Sequence, residues 1–315
     1  DDIDNTARCG SATDVGADHH PQNNDIGVAS IVYPPNGVAA LGSQTIKVLL
    51  RNYGGNTVTS ANVSYNINGT IVTQAWTGSL ATVTFSTPYT FTPGTFTMSA
   101  YSSAPNGVAD TKLTNDTINV NGCIGMGGAY TIDASQPASA TNFQSFTAAI
   151  AAMSGCGVTA PTVFTVAAGN YVEQISIPLI NGSSATNTIT FDGGNGNAAS
   201  RILKYQTTTV PYVVRFNNTQ NVFFRNLTIQ TTDPNVAWNV HFFHSSNCGV
   251  SNCIINDSLN AYGTSNTVHR VLINGHLSTA STSSAIANNI YIDSNNIGFG
   301  YYSVASYVSN ANNTI

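Results

Sequence analysis

Two stretches of the sequence, 213–229 and 239–255, match each other at an offset of 26 residues. Apolar residues align with apolar residues along both stretches, as Phe216 does with Phe242. A third copy at 289–299 repeats the pattern with one extra residue. Short strands that recur at such a period are typical of a β-solenoid, because one coil cannot bury its apolar face until a neighbouring coil stacks on it. We therefore predict stacked β-coils in this half of the chain.

Asparagine also aligns with asparagine in these copies, at the point where the chain is expected to bend. Asn226 aligns with Asn252, and Asn295 follows in the third copy. Asparagine amides at such a bend can hydrogen-bond along the stack and to the turn backbone. We predict a corner stack of Asn226, Asn252 and Asn295, with the register of the third copy open by one residue.

The segment 23–122 has a different pattern, with short strands of alternating polarity separated by turn residues. In 46–51 every second residue is apolar and faces the expected core. Asn68 and Gly69 separate two such strands and form the favoured two-residue hairpin turn. Strands at this spacing predict an immunoglobulin-like β-sandwich.

One helix is expected, between the sandwich and the coils. Phe143, Phe146, Ile150 and Met153 recur at i, i+3, i+7 and i+10 and form a single apolar stripe. Beyond this segment no further helical periodicity occurs in the sequence.

The composition excludes several classes of partner. Only 7% of the residues are charged, the chain has nine Lys plus Arg, and the net charge is −5 without a basic cluster. Nucleic acid and anionic membranes are therefore not expected to bind. No run reaches the roughly 18 apolar residues that membrane insertion requires. A polar surface with few charges suits an extracellular protein.

The segment PTVFTVAAGNYVEQISIP, with Gly169, Tyr171 and Glu173, resembles the first coil of the pectin-lyase-like right-handed parallel β-helices. That resemblance implies that the helix before it plugs the N-terminal end of the core. More narrowly, the order of motifs from DIGV through KVLLRNYGGNTV to NVFFRNLTI resembles large Bacteroidota surface proteins exported by the type IX secretion system. In those proteins an immunoglobulin-like module commonly precedes the β-helix.

The expected fold is all-β: an immunoglobulin-like β-sandwich followed by a right-handed parallel β-helix with an N-terminal capping helix. The boundaries are a segment 1–22 that resembles the end of a preceding β-helix, a sandwich at 23–122, and a β-helix at 123–315, incomplete at its C-terminal end. The expected function is a non-catalytic structural or adhesive segment of a large extracellular, cell-surface repeat protein, such as a stalk, filament or adhesin. Its expected partners are copies of itself, neighbouring modules of the same chain, and surface glycans.

A polysaccharide-active enzyme and a glycan-binding module remain the alternatives. Such enzymes need carboxylates that converge on a groove. The charged residues of the repeats are instead scattered along the sequence: Arg215, Arg225, Asp233, Asp257, Arg270 and Asp293. The one aromatic cluster suited to sugar stacking comprises Tyr291, Phe299, Tyr301 and Tyr302. No catalytic, cofactor-binding or metal-binding residue is predicted.

The five cysteines form no CxxC pair. Cys123 and Cys156 flank the helical segment, and the sequence leaves a disulfide between them as open as two free thiols. Cys248 and Cys253 align with apolar residues and are expected to be small buried hydrophobes rather than a disulfide. Cys9 is the odd cysteine, and its pairing is not assigned.

The family resemblance makes two short motifs relevant, Asp116-Thr117-Ile118 and Asp257-Ser258-Leu259. Both match the Asp-Ser/Thr-apolar acceptor pattern of Bacteroidota O-glycosylation, which makes Thr117 and Ser258 candidate sites. The resemblance also explains the opening run as the closing coil of a β-helix, through Asp2, Asp4, Arg8, Asp14 and Asp18. A Ca²⁺ ion bound by that run is the one cofactor left open; otherwise none is expected.

Overall fold

The computed structural model describes residues 23–92, 94–195, 197–205, 212–232, 238–258, 268–274, 287–298 and 300–307, and the backbone of 313–314. The chain divides into two compact units, Asp1–Ile124 and Gly125–Ile315. The first is an immunoglobulin-like β-sandwich, and the second is a right-handed parallel β-helix with an N-terminal capping helix. The opening run, with its aspartates and Cys9, lies outside the described residues.

Among the described residues the sandwich has ten strands and two main sheets. The strands are β1 Ile26–Tyr33, β2 Val38–Ala39, β3 Gly42–Gln44, β4 Lys47–Asn52, β5 Ser60–Ile67, β6 Thr70–Thr77, β7 Thr82–Thr84, β8 Tyr89–Phe91, β9 Thr95–Ser103 and β10 Thr117–Ile124. A three-stranded sheet has the order β1-β4-β7, a five-stranded sheet has the order β2-β10-β9-β5-β6, and β3 pairs with β8. Short 3-10 turns span Pro35–Gly37, Pro105–Gly107 and Leu113–Asn115.

The local patterns of the sandwich are those that the sequence predicts. Val48 and Leu50 are buried in β4 and the residues beside them are exposed, so this strand turns one face to the core. Strands β5 and β6 pair in an antiparallel hairpin. Its turn residues, Asn68 and Gly69, have φ of 49° and 88°. Positive φ at both positions is what this turn requires, and asparagine and glycine tolerate it.

The described strands of the β-helix form three parallel sheets. The strands are β11 Met126–Ile132, β12 Asn142–Phe143, β13 Val158–Val166, β14 Gly169–Val172, β15 Ile175–Ile177, β16 Ile189–Asp192, β17 Arg201–Tyr205, β18 Tyr212–Asn217, β19 Val222–Arg225, β20 Thr228–Thr231, β21 Trp238–Phe243, β22 Ser246–Ser251, β23 Ile254–Asp257, β24 His269–Ile273, β25 Asn288–Asp293, β26 Asn296–Ile297, β27 Tyr302–Ser306 and β28 Asn313–Thr314. One sheet has the order β12-β11-β13-β16-β19-β22-β25-β28, the second has the order β14-β17-β20-β23-β26, and the third has the order β15-β18-β21-β24-β27.

The offset of 26 residues found in the sequence is the register between neighbouring coils. Phe216 pairs with Phe242, and Ile229 pairs with Ile255. The inward rings stack, since the centroids of Phe216 and Phe242 lie 4.5 Å apart. The repeat therefore places equivalent apolar residues in one continuous core along the coils.

The helix α1 spans Phe146–Cys156 and buries Phe146, Ile150 and Met153 against the core of the β-helix. Phe143 was predicted to begin this stripe, but it belongs to β12, because Ser145 adopts an extended conformation and caps the helix. The Ser145 hydroxyl accepts a hydrogen bond from the N–H of Ala148. Within the described residues no helix has the length and apolar character needed to cross a membrane.

The corners of the coils hold residues in the left-handed region, with φ between 49° and 57°. They occur near both ends of three successive strands of the eight-stranded sheet, as the pairs Asn221 and Asn226, Asn247 and Asn252, and Asn289 and Ser294. The third position of the predicted corner stack is thus Ser294 rather than Asn295. The extra residue moves Asn295 into the register of Cys253, where its amide accepts from the Cys253 N–H and donates to the Val250 carbonyl.

Candidate binding groove

The outer face of the eight-stranded sheet carries a groove of about 610 Å³. It crosses β19, β22 and β25, whose outward side chains form two columns. One column is aromatic and the other is polar. The lining residues are Ala185, Thr188, Asn221, Phe223, Arg225, Asn247, Gly249, Val250, Ser251, Tyr291, Ile292 and Asp293.

The aromatic column places a glycine between two rings. Phe223, Gly249 and Tyr291 are in register on the three strands. The two ring centroids lie 6.5 Å apart with a 43° tilt, and Tyr291 is 45% exposed. A Cβ atom at Gly249 would lie 2.6 Å from the main-chain oxygen of Tyr291, so only glycine permits this approach. The groove floor therefore depends on that one small residue.

The polar column contains Arg225, Ser251 and Asp293 in the groove, and Asp192 on the neighbouring strand β16 continues it beyond the lining residues. Asp192 accepts hydrogen bonds from the Gly194 N–H and the Asn226 amide, both at 2.7 Å, so its carboxylate is held by the adjoining turn. The guanidinium of Arg225 lies 5.7 Å from the centroid of the Phe223 ring. Among the described residues Arg225 forms no ion pair, and it is exposed. The groove thus presents one cation beside an aromatic surface.

The two carboxylates of this column do not converge. Asp192 and Asp293 are three strands apart, a separation of about 14 Å at the usual spacing of parallel strands. Retaining glycosidases hold their two carboxyl groups about 5.5 Å apart, and inverting enzymes hold them roughly 6.5–9.5 Å apart. The described residues of the groove therefore lack the paired carboxylates of either mechanism.

The aromatic cluster expected from the sequence is divided between two sheets. Tyr291 lies on β25 in the groove, whereas Tyr302 lies on β27 of another sheet and stacks on His269 at 5.5 Å. Tyr301 contacts Tyr302 edge to face at 4.9 Å. Phe299 lies outside the described residues. The sequence pattern did not reveal Phe223 and Gly249, because Tyr291 follows Gly249 by 42 residues, one coil away, and Phe223 by 68 residues, two coils away.

Two charges that look scattered in the sequence form a fully buried pair. Arg270 donates to Asp257 at 2.9 Å, and both side chains are 0% exposed. The same guanidinium donates to Asn239 and to the Gly298 carbonyl. Burial lowers the pKa of Arg270, and the Asp257 carboxylate opposes that shift. Asp233 of the same predicted set lies outside the described residues. The buried position marks this pair as structural rather than as a binding surface.

Two histidines of β21 and the bend after it, His241 and His244, occupy different environments. His241 is 1% exposed, and its ring lies 4.7 Å from that of Trp238. His244 is at a bend with φ of 50°, and it stacks on Phe243. Burial, followed by the charge of Arg215, lowers the pKa of His244.

Cys248 and Cys253 are free and buried. Burial raises the pKa of the Cys248 thiol to about 12 and that of Cys253 to about 11, so both behave as small apolar groups. Cys123 and Cys156 are each disulfide-bonded.

The candidate glycosylation residues Thr117 and Ser258 are exposed. The aspartates before them are not: Asp116 is 7% exposed and Asp257 is 0% exposed. In both motifs the residue with the hydroxyl is therefore accessible to solvent, while the aspartate before it is buried.

No family model and no curated protein matches the chain. Among solved structures, the CARDB domain of the PF1109 protein in complex with di-metal ions, from Pyrococcus furiosus, is 24% identical with a TM-score of 0.26. That match covers 33% of this chain and 94% of the other.

Two further solved structures are similar to the chain. A rice weevil pectin methyl esterase is 13% identical with a TM-score of 0.33, covering 53% of this chain and 65% of the other. A family 28 exopolygalacturonase from Yersinia enterocolitica is 8% identical with a TM-score of 0.29, covering 89% of this chain and 71% of the other.

Proposed function

We propose that the chain is a non-catalytic, adhesive segment of a large extracellular repeat protein, and that the groove on the eight-stranded sheet binds a glycan. The observation that carries this proposal is the pair of rings, Phe223 and Tyr291, on either side of Gly249 in an open groove. Ring faces offer apolar area to the C–H groups of a sugar, and a few polar groups beside them fix its orientation. Asn247 and Ser251 supply those polar groups here.

Glycan arrays and affinity measurements test this proposal. We expect the full chain to bind at least one class of glycan. Tyr291→Ala should weaken that binding about tenfold or more, because loss of one aromatic stacking contact typically removes about 1–3 kcal/mol of binding free energy. Tyr301→Ala removes an exposed ring outside the groove and serves as the matched control. Equal loss in both variants, or loss only in Tyr301→Ala, would contradict the assignment of the groove.

A polysaccharide-active enzyme is the second candidate, favoured by Arg225 and Asp293 in the same groove. Lyase, esterase and hydrolase assays on the full chain separate the two candidates. The adhesive proposal expects no turnover of any glycan that binds. Turnover that Asp293→Asn abolishes, with binding retained, would replace it by the enzymatic function.

The extracellular location is part of the same proposal, and it is supported by the charge-poor composition and the disulfide-bonded state of Cys123 and Cys156. Export by type IX secretion follows from the family resemblance. Protease treatment of intact source cells tests the location, since a surface protein is cleaved before lysis. A chain that resists protease until lysis would contradict it.

We also propose that Cys123 and Cys156 are bonded to each other and that Thr117 and Ser258 carry O-linked glycans. Peptide mapping without reductant tests the first assignment, and intact-mass measurement of the native protein tests the second. A disulfide from either cysteine to Cys9 would overturn the pairing. Unmodified peptides at both hydroxyls in protein from the source cells would overturn the glycosylation.

A further inference from the structure

Three of the fourteen acidic residues of the chain meet at one place in the sandwich. Asp25 precedes β1, Asp116 precedes β10, and Asp110 lies in the loop between β9 and β10. One carboxylate oxygen from each lies within 4.8 Å of the other two. Asp25 is 3% exposed and Asp116 is 7% exposed, while Asp110 is partly open to solvent. Two of the three aspartates are therefore buried, and the third is partly accessible to solvent.

Backbone and amide donors hold two of the carboxylates in place. Asp110 accepts from the N–H of Ile26 at 3.0 Å and from the N–H of Lys112 at 2.9 Å. Asp25 accepts from the Asn115 amide at 2.9 Å. These donors are neutral, and among the described residues no Lys, Arg or His forms an ion pair with any of the three aspartates. The local negative charge is thus left without a counter-charge from this part of the chain.

Asp116 is the unsatisfied member of the cluster. Its Oδ1 is buried and has no hydrogen-bond partner, and the Oδ1 of the neighbouring Asn115 is in the same condition. Buried polar atoms almost always have a partner, so two adjacent acceptors without one indicate a missing donor or cation. A positive ion at this place would remove the energetic penalty of the buried, unpartnered oxygen of Asp116.

We propose that these three aspartates bind one Ca²⁺ ion, with the Asn115 side-chain oxygen as a further ligand. Ca²⁺ takes carboxylate and amide oxygens at about 2.4 Å, so oxygens across the ion lie about 4.8 Å apart, which accommodates the observed cluster. Mg²⁺ holds its ligands at about 2.1 Å in a stricter octahedron and keeps several waters, so it suits this set less well. The site is independent of the groove and of glycan binding.

Calorimetric titration of CaCl₂ into the full chain, first freed of metal with a chelator, tests the site. We expect one saturable site, weaker binding of MgCl₂, and a rise in melting temperature with Ca²⁺. Asp116→Asn is expected to lower Ca²⁺ affinity at least tenfold. The same change should raise the melting temperature of the metal-free protein, because it removes a repelled charge without changing the shape of the side chain.

Two controls assign the ion to this cluster. Asp133→Asn changes an aspartate outside it and should leave the titration unchanged. Asp2→Asn with Asp4→Asn removes two acids of the opening run and should also leave it unchanged. Absence of saturable binding, wild-type affinity in Asp116→Asn, or loss of binding in the Asp2/Asp4 variant would each overturn the proposal. If Asp116→Asn fails to fold by circular dichroism, the partly exposed Asp110→Asn takes its place with the same expected loss.

Discussion

The carboxylate of Glu173 accepts a hydrogen bond from the backbone N–H of Phe146 at 3.0 Å, although the two residues are 27 positions apart. Its second oxygen accepts from the N–H and the hydroxyl of Thr147. Glu173 is the only glutamate of the chain. It satisfies two of the free N–H groups at the start of α1 and places a negative charge at the positive end of the helix dipole. The capping helix is thus fastened to the coil that follows it.

Glu173→Ala is expected to lower the free energy of unfolding by about 1–3 kcal/mol, since charge-assisted hydrogen bonds to the helix start are lost. Glu173→Gln, which keeps the shape and loses the charge, should cost less. Urea denaturation followed by far-ultraviolet circular dichroism measures both. Gln144→Ala, an exposed change near the same helix, should stay within about 0.5 kcal/mol. A Glu173→Ala change that is equally neutral would contradict the capping role.

Asn252 tests the left-handed corners, because it has φ of 51° and is exposed. Asn252→Gly and Asn252→Ala both remove the side chain, but only alanine resists this conformation. We expect the alanine variant to be less stable than the glycine variant by about 1 kcal/mol. Chemical denaturation of the two proteins side by side gives the difference. Equal stability would mean that the corner relaxes out of the left-handed region.

Gly249→Ala should fill the floor of the groove. The new Cβ would lie 2.6 Å from the Tyr291 oxygen and 2.8 Å from its Cβ, so the strands must shift. We expect a loss of about 1–3 kcal/mol in stability, typical of overpacking, together with weaker glycan binding. Adding Tyr291→Ala should not restore stability, since the closest clash is with the main chain. Full recovery in that double variant would show that the ring alone opposes the methyl group.

The buried pair of Asp257 and Arg270 should show strong coupling. Asp257→Asn or Arg270→Met alone leaves an uncompensated buried charge and is expected to cost about 3–5 kcal/mol. The double variant should cost clearly less than the sum of the two, because neither charge then remains. A double-mutant cycle from urea denaturation measures the coupling free energy. Additive losses would contradict a direct interaction.

Stability should fall at alkaline pH through Cys248 and Cys253. Their pKa values in the folded chain, about 12 and about 11, exceed the ordinary value of 9.0 in the unfolded chain. The unfolded state therefore binds fewer protons above pH 9, and the free energy of unfolding decreases as pH rises, by up to about 2.7 kcal/mol per unit for two thiols. Urea denaturation of the wild type and of Cys248→Ala/Cys253→Ala between pH 8 and 10.5 compares the slopes. Parallel slopes would show that the thiols are not buried.

Several features followed from the sequence because they depend on local patterns. The hairpin at Asn68 and Gly69 needs only a turn type and two alternating strands. The 26-residue register, as in Phe216 over Phe242, follows because every coil buries the same face. One inserted residue shifts the register at the third corner, so that Ser294 takes the position expected of Asn295. A period fixes which residues stack only while the coil length stays constant.

The groove and the aspartate cluster depend instead on residues that are distant in the sequence and close in the structure. Asp25 and Asp110 are 85 residues apart, and Gly249 and Tyr291 are 42 residues apart. No local pattern joins either pair. Packing between strands of two different sheets brings Asp25 and Asp110 together, and the pairing of β22 with β25 brings Gly249 next to Tyr291. By itself, the sequence determined the class of fold, the repeat and the capping helix, since hydrophobic periodicity dictates which faces must be buried. Only the tertiary structure decided which acids meet, which rings line the groove and which charges are buried, because those depend on the order and register of the strands.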